Sequence, residues 1–416
     1  MDKLVIEGGV PLNGEVQISG AKNCALPLMA ATLIANGRHC FSNAPRLRDI
    51  RTMQSLLSHM GANCGHDQVL QIDTSDVHTL EAPYDMVKTM RASVLVLGPM
   101  LARYRRARIS LPGGCAIGAR PINLHLKALV EMGVDIDLEH GYVVGRARKL
   151  KGVPITFDQV TVTGTENIMM AACLADGVTV LKNSAREPEV VALADYLNRM
   201  GARIEGAGTG EITITGVREL APSSCEIIPD RIETGTYLVA AGITGGALKL
   251  KGCRPDHLQA VIQKLRDVGL SIDSEGESIE VSRKGRIKSA NIETYPFPGF
   301  PTDMQAQFMA LMALGNGVSL IKERIFENRF MHVLELERMG ADIDLDGRTA
   351  VVRGVRKLSG APVMATDLRA SASLVLGALA AEGISEITRI YHLDRGYEAI
   401  EKKLSAVGAK IERVKQ

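Results

Sequence analysis

The sequence contains no tryptophan, and seven Phe and eight Tyr are the whole aromatic complement of its 416 residues. Platforms for single-stranded nucleic acid are built by stacking bases on aromatic side chains, so that class is excluded. An excess of charge of either sign is also missing. Lys and Arg number 49 against 47 Asp and Glu, a formal net charge of +2, whereas duplex DNA and anionic membranes demand a concentrated basic surplus. Long apolar runs are absent. The most apolar windows, ALPLMAATLIA (25–35) and SVLVLGPMLA (93–102), are about half the roughly 20 residues of a membrane span. The opening MDKLVIEGG has no h-region or small-residue cleavage site and predicts no secretory signal. The seven cysteines, at 24, 40, 64, 115, 173, 225 and 253, form no CxxC. Their odd number in a long chain reads as reduced thiols in a cytoplasm. The nine histidines are scattered, with no HExxH or Cys/His cluster, so no zinc is expected.

What is present is a large core. The chain is 46% hydrophobic and 23% charged, and at about 150 residues per domain it predicts two or three domains. A repeat organises it. LLSHMGAN, LVEMGVD, LNRMGAR, LRDVGLS, LERMGAD and LSAVGAK carry Gly61, Gly133, Gly201, Gly269, Gly340 and Gly408, spaced by 72, 68, 68, 71 and 68 residues. Before each glycine lies an amphipathic helix. Leu258, Val261, Ile262, Leu265 and Val268 share one face at helical spacing. The glycine supplies a left-handed C-cap, and a short alternating strand follows, as in Ala202–Glu205. Upstream sits a second helix, apolar on every face and rich in small residues (IMMAACLA, YLVAAGIT, FMALMALG, SLVLGALA). Such helices are buried and approach one another closely. The periodicity therefore gives strand, buried helix, strand, surface helix, strand, six times, best grouped as two three-fold lobes. SSCEIIP (223–229) reads as one crossover between them, with a second near the N-terminus.

The buried helices begin at GAKNCALP, KTMRASVL, TGTENIMM, PDRIETGTY, PTDMQAQF and TDLRASAS. Asp230, Asp303 and Asp367 fit the capping preference there. Lys22, Arg91 and Arg369 do not, because a cation opposes the positive end of the helix dipole. Their recurrence points to a bound oxyanion. A second set, Arg46, Arg48, Arg120, Arg186, Arg324, Arg329 and Arg395, opens the surface helices. Guanidinium groups grip carboxylate and phosphate in bidentate fashion, so the expected ligand is small and polyanionic. LPGGCAIGARP (111–121) reads as a mobile loop exposing Cys115 near Arg120, a cation that favours the thiolate. Cys24, Cys64, Cys173 and Cys253 read as inert buried thiols, and His125 as a packing residue. GEVQISGAKN is no Walker loop, and GAGTGE (206–211) reads as a hairpin turn.

GAKN (20–23), KTMRAS (88–93), LPGGCAIGARP, AREPE (185–189), PDRIETGT (229–236), FPTDMQAQF (300–308), FENRFMH (326–332), ATDLRASASL (365–374) and YHLDRGYE (391–398) resemble one family along the whole chain. It is the UDP-N-acetylglucosamine 1-carboxyvinyltransferases, enolpyruvyl transferases of peptidoglycan synthesis. The resemblance implies an α/β fold of two inside-out α/β barrel lobes, each of three βαβαββ repeats. Residues 22–228 would form one lobe, with 1–21 and 229–416 the other. It implies a cytoplasmic transferase of cell-wall biogenesis, cell shape and cell division. The enolpyruvyl group of phosphoenolpyruvate would pass to the 3'-hydroxyl of UDP-N-acetylglucosamine through a tetrahedral ketal, with no metal or organic cofactor.

By the same resemblance Cys115 is the general acid, the site of a covalent adduct and the residue alkylated by fosfomycin, and Asp303 is the general base. Lys22, Arg91, Arg120, Arg369 and Arg395 match cations for phosphate and carboxylate, with Asp367 near the reacting centre and Asn23 an amide contact. Arg120, Pro121, Ile122, Asn123 and Leu124 would surround uracil. Thr161, Val162 and Thr163 would lie near the diphosphate, and Asp303, Ile325 and Phe326 at the sugar, with Glu187 and Glu189 weaker candidates. Asn123 stands where many members have Asp, and Arg48 where Lys is common. The sister 3-phosphoshikimate 1-carboxyvinyltransferase and a catalytically silent UDP-sugar-binding regulator are the alternatives. PGGC and RPINLH favour the UDP-sugar enzyme over the sister, and retention of Cys115, Asp303, Lys22 and Arg395 together argues against the silent regulator.

Overall fold

The computed structural model describes residues 2–88, 90–111 and 122–415. Cys115, Arg120 and Pro121, and the mobile-loop expectation for 111–121, fall outside them except at Leu111. The described residues divide into two compact units that change at Ser19/Gly20 and at Ile228/Pro229. The first change lies two residues before the 21/22 boundary drawn from the resemblance.

Each unit holds three four-stranded sheets around its own hydrophobic core. In the unit built from Pro229 onwards, the helices Arg231–Thr244, Gln305–Met312 and Leu368–Ala380 pack on one another. Their residues are almost all buried, which is why small and apolar side chains occupy every face. In the Gly20–Ile228 unit the corresponding helices are Lys22–Ala31, Leu97–Tyr104 and Val162–Ala172. Gly98 shows how close they come. A Cβ there would overlap the backbone and side-chain oxygens of Asn167 on the neighbouring helix.

Every sheet has one pattern. Pro154–Thr156 runs parallel to Val178–Lys182, which pairs antiparallel with Glu211–Thr215, and that strand pairs antiparallel with Arg203–Glu205. A parallel pair needs a crossover, and the buried helix Val162–Ala172 supplies it. The five-element unit read from periodicity therefore lacked its last strand, such as Glu211–Thr215, which turns back from the strand after the surface helix and pairs with it. Residues 206–211 do form the hairpin turn between Arg203–Glu205 and Glu211–Thr215.

Strands are also exchanged along the chain. Ser224–Glu226 completes the sheet of Arg38–Ser42, and Asn13–Gln17 completes that of Ala247–Lys251. Asp2–Glu7 is inserted between Ile384–Thr388 and Lys410–Lys415.

The six repeat glycines all have positive φ, between 91° and 106°. At Gly61 the N–H donates to the Ser58 carbonyl (3.0 Å) and that of Ala62 to Leu57 (2.9 Å). These two bonds are the Schellman arrangement, which satisfies carbonyls left open at a helix C-terminus. The Gly133, Gly201, Gly340 and Gly408 turns repeat both bonds. Leu258, Val261, Ile262, Leu265 and Val268 are all buried, as the spacing predicted.

Candidate functional site

Within the unit from Pro229 onwards, the starts of the three buried helices carry an ionic cluster. Two of them are capped as expected. The Asp230 carboxylate accepts from the N–H groups of Ile232 (2.8 Å) and Glu233 (3.1 Å), and that of Asp367 from Arg369 (2.8 Å) and Ala370 (3.1 Å). Asp303 departs from the expectation. It sits inside a short 3-10 turn, Thr302–Met304, whose N-cap position is Pro301. Two buried guanidinium groups hold its carboxylate instead: Arg329 Nη2 donates to Oδ1 at 2.7 Å and Arg369 Nε to Oδ2 at 3.1 Å. Charge-assisted bonds of this kind are stronger than a cap, and they turn the side chain away from its own helix.

The neighbours of Arg329 fix its position. Its Nη1 donates to Thr302 Oγ1 (2.8 Å), and its guanidinium lies 5.1 Å from the Phe326 ring centre. Thr302 donates in turn to Glu323 Oε2 (2.8 Å). The other oxygen of this buried carboxylate accepts from Thr294 Oγ1 (2.9 Å) and from the N–H groups of Ile325 (2.8 Å) and Phe326 (3.1 Å). Ile325 and Phe326 are thus tied to the Asp303 turn through Glu323, a residue the sequence reading passed over. Burial of the Arg369 guanidinium pushes its pKa down, but Tyr397, Asp303 and Asp230 outweigh this and hold it above its ordinary value. Its Nη1 is buried without a hydrogen-bond partner among the described residues. His332 is fully buried beside Asp367 and Arg329, and burial pushes it down to about 4.

The Gly20–Ile228 unit gathers a second group. Lys22, the first residue of its helix, lies 3.3 Å from Asp49, a buried carboxylate in the first turn of Arg48–His59. Asn23 follows it, exposed. Thr161, unremarked as a cap in the sequence, accepts from the Gly164 N–H (3.2 Å) and opens the helix Val162–Ala172.

Behind Thr163 the proton positions can be derived. The Gly98 N–H donates to Asn167 Oδ1 (2.6 Å), so the amide nitrogen of Asn167 faces the Val94 carbonyl (3.0 Å) and His125 Nδ1 (3.0 Å). His125 therefore accepts at Nδ1 and carries its hydrogen on Nε2, 3.3 Å from Thr163 Oγ1. Burial, reinforced by Arg91, pushes this histidine down to about 4. Packing describes His125 in part; its ring also sets the donor left on Thr163.

The remaining candidates separate. Ile122 packs with Val94 and Val143 in a small apolar cluster, Leu124 lies half-buried against the core, and Asn123 is exposed. Glu187 and Glu189 are buried with Glu166, whose carboxyl is pushed well above the usual range by burial and by those two neighbours. Arg46, Arg48, Arg186 and Arg324 of the second arginine set are exposed, and Arg324 pairs with Glu293 at the surface. Arg395 is half-buried. Cys24, Cys173 and Cys253 are buried, whereas Cys64 is only half-buried, in a hairpin strand rather than the core. Burial pushes the Cys173 and Cys253 thiols to about 12 and 11. Among the described residues no group of His, Cys, Asp and Glu is arranged to hold a metal, and no helix is long and apolar enough to cross a membrane.

Buried ionic groups at helix starts on a six-fold βαβαββ frame are the features to set beside known proteins. The family model of EPSP synthase (3-phosphoshikimate 1-carboxyvinyltransferase) matches residues 6–404. UDP-N-acetylglucosamine 1-carboxyvinyltransferase of Geobacter metallireducens is 60% identical, and that of Thermodesulfovibrio yellowstonii 59%, each over the whole of both chains. The chain belongs to the UDP-N-acetylglucosamine 1-carboxyvinyltransferase family. The enolpyruvyl transferase NikO from Streptomyces tendae superimposes with a TM-score of 0.90 at 26% identity, covering 99% of each chain. EPSP synthase from Acinetobacter baumannii has the same fold, with a TM-score of 0.77 at 19% identity over both full chains. The family's two inside-out α/β barrels, three βαβαββ repeats in each, are the architecture described above. Full-length identity near 60% to the UDP-sugar enzymes, against 19% to that EPSP synthase, favours the former.

Proposed function

We propose that the protein transfers the enolpyruvyl group of phosphoenolpyruvate to the 3'-hydroxyl of UDP-N-acetylglucosamine, as a cytoplasmic enzyme supplying peptidoglycan precursor for cell shape and division. The observation that carries this reading is the grip of Arg329 and Arg369 on Asp303 in a chain that matches those transferases end to end. Asp303 takes the proton of the attacking hydroxyl as that oxygen bonds to C2 of phosphoenolpyruvate, while Cys115 delivers a proton to C3. Loss of a C3 proton and departure of phosphate then restore the double bond, so atoms and charge balance without a cofactor.

Preorganised cations are the main lever on such charge development. Lys22, Arg91, Arg120, Arg369 and Arg395 take the phosphate and carboxylate in this reading, Asn23 contacts the intermediate, and Asp367 orients Arg369 through its backbone. Arg120–Leu124 hold the uracil, with Ile122 contributing backbone since its side chain is packed away. Thr161–Thr163 receive the diphosphate, and Ile325 with Phe326 borders the sugar.

Phosphate release from phosphoenolpyruvate is the test. Release with UDP-N-acetylglucosamine and none with shikimate 3-phosphate is expected. Folded protein that releases none with the UDP-sugar would overturn the proposal, and release only with shikimate 3-phosphate would assign the sister activity. Fosfomycin is expected to add a single mass on Cys115.

A further inference from the structure

Three side chains behind the Asp303–Arg369 pair form a network whose proton order follows from two backbone carbonyls. Gln307 Nε2 lies 2.9 Å from the Asp303 carbonyl, an acceptor only, so the amide nitrogen points there. The same nitrogen faces Tyr397 Oη (3.2 Å) and Thr236 Oγ1 (3.3 Å). Thr236 Oγ1 lies 2.7 Å from the Ile232 carbonyl and spends its hydrogen on it. The 2.9 Å contact between Thr236 Oγ1 and Tyr397 Oη must then be a donation from the phenol. Tyr397 thus has no hydrogen left, and its oxygen can only accept. The Arg369 guanidinium lies 5.4 Å from the centre of that ring and also within reach of the phenol oxygen.

We propose that Tyr397, oriented by Thr236 and Gln307, is a positioning residue that holds the Arg369 guanidinium between its own oxygen and Asp303, leaving Nη1 for an anionic group of the substrate. Two observations meet here. The network ends on the turn that carries Asp303, and Arg369 Nη1 is a buried donor without a partner among the described residues. Burial pushes the Tyr397 phenol up, against the pull of Arg369, consistent with a neutral ring that shares its lone pairs. The proposal rests on the functional reading above, in which that anionic group belongs to phosphoenolpyruvate.

The test uses the full chain and reads phosphoenolpyruvate affinity by calorimetry alongside steady-state kinetics. Tyr397→Phe keeps the ring and removes the oxygen, and Gln307→Met removes the amide that orients it. Each is expected to weaken phosphoenolpyruvate binding about tenfold, with the KM for UDP-N-acetylglucosamine within twofold. The double variant is expected to be no worse than the weaker single, since both break one linkage. Single effects below twofold, effects that multiply, or a loss of thermal stability with affinity intact would overturn the proposal. Should Tyr397→Phe fail to fold, Thr236→Val removes the acceptor that orders the phenol, and the same thresholds decide. Wild-type protein that binds phosphoenolpyruvate but does not turn over sinks the functional reading and leaves this test standing. Wild-type protein that binds none overturns both.

Discussion

Arg369 Nε lies 3.1 Å from Asp303 Oδ2, a bond between residues 66 positions apart. It joins the starts of two buried helices in one unit, and Arg329 closes on the other carboxylate oxygen. A carboxylate so placed is held in one orientation. The carboxylate charge offsets the mutual repulsion of its two cationic partners.

Asp303→Asn therefore removes more than the proposed base. The two guanidinium groups, 6% and 4% exposed at their side chains, would face one amide whose nitrogen opposes one of them. Breaking a buried pair in this way costs about 3 kcal/mol, and removal of a general base costs about 10³ in kcat. Thermal unfolding and turnover should both show the loss, and Asp303→Glu should recover neither fully, because the longer chain displaces the oxygens from both arginines.

Two glycines separate two mechanisms. Gly98→Ala places a methyl against the oxygens of Asn167 and should destabilise by about 3 kcal/mol, in the upper range for overpacking. Gly340 has φ +91° and open space around a Cβ, so Gly340→Ala should cost only the backbone strain, about 1 kcal/mol. Denaturant midpoints at constant m-value measure both. Equal losses would mean that packing at Gly98 relaxes.

Acid should unfold the protein above the range where surface carboxylates titrate. Burial pushes His39, His125 and His332 from about 6.5 in the unfolded chain to about 4. Below pH 6.5 the unfolded state binds protons that the folded state refuses, so stability falls as pH drops from 6.5 to 4 and is intact above that window. Three such groups amount to roughly several kcal/mol. The melting temperature should decline across this interval, and His39→Gln should flatten part of the slope.

Glu323 is the support of the Ile325–Phe326 turn. Four donors converge on its two oxygens, and Glu323→Gln offers one acceptor oxygen while turning an NH₂ toward donors. A loss of about 2 kcal/mol follows from unsatisfied buried groups. With Ile325 and Phe326 loosened, the KM for the UDP-sugar should rise severalfold, more than that for phosphoenolpyruvate. Equal rises in both would show that the turn does not border the sugar.

The repeat was legible because its physics is local. A Schellman turn admits glycine at the left-handed position and little else, so Gly61 and its five counterparts mark the helix ends whatever the rest of the chain does. The buried helices were legible from composition for the same reason. Asp303 was misread as a cap because its partners, Arg329 and Arg369, come from 26 and 66 residues away, and no local rule reports them. Glu323 and Asp49 looked like ordinary acidic residues, since burial is a property of the assembled unit. The exchanged strand Ser224–Glu226 gave no signal because three residues hold too little alternation. Cys115 stood out by its glycine-rich loop, but the role expected of it, like those of the other site residues, came from the family resemblance.

The position of Asp2–Glu7 between Ile384–Thr388 and Lys410–Lys415 sets a timetable for synthesis. Residues from Gly20 to Ile228 can complete their three sheets as soon as Ser224–Glu226 has been made. The strand at the start of the chain has no such opportunity. It is made long before its two neighbours, which are separated from it by most of the sequence, and pairing across such a distance is slow. Until Ile384–Thr388 has been made, then, Asp2–Glu7 has neither of its neighbours, and its sheet closes around it only when residue 410 and its successors arrive.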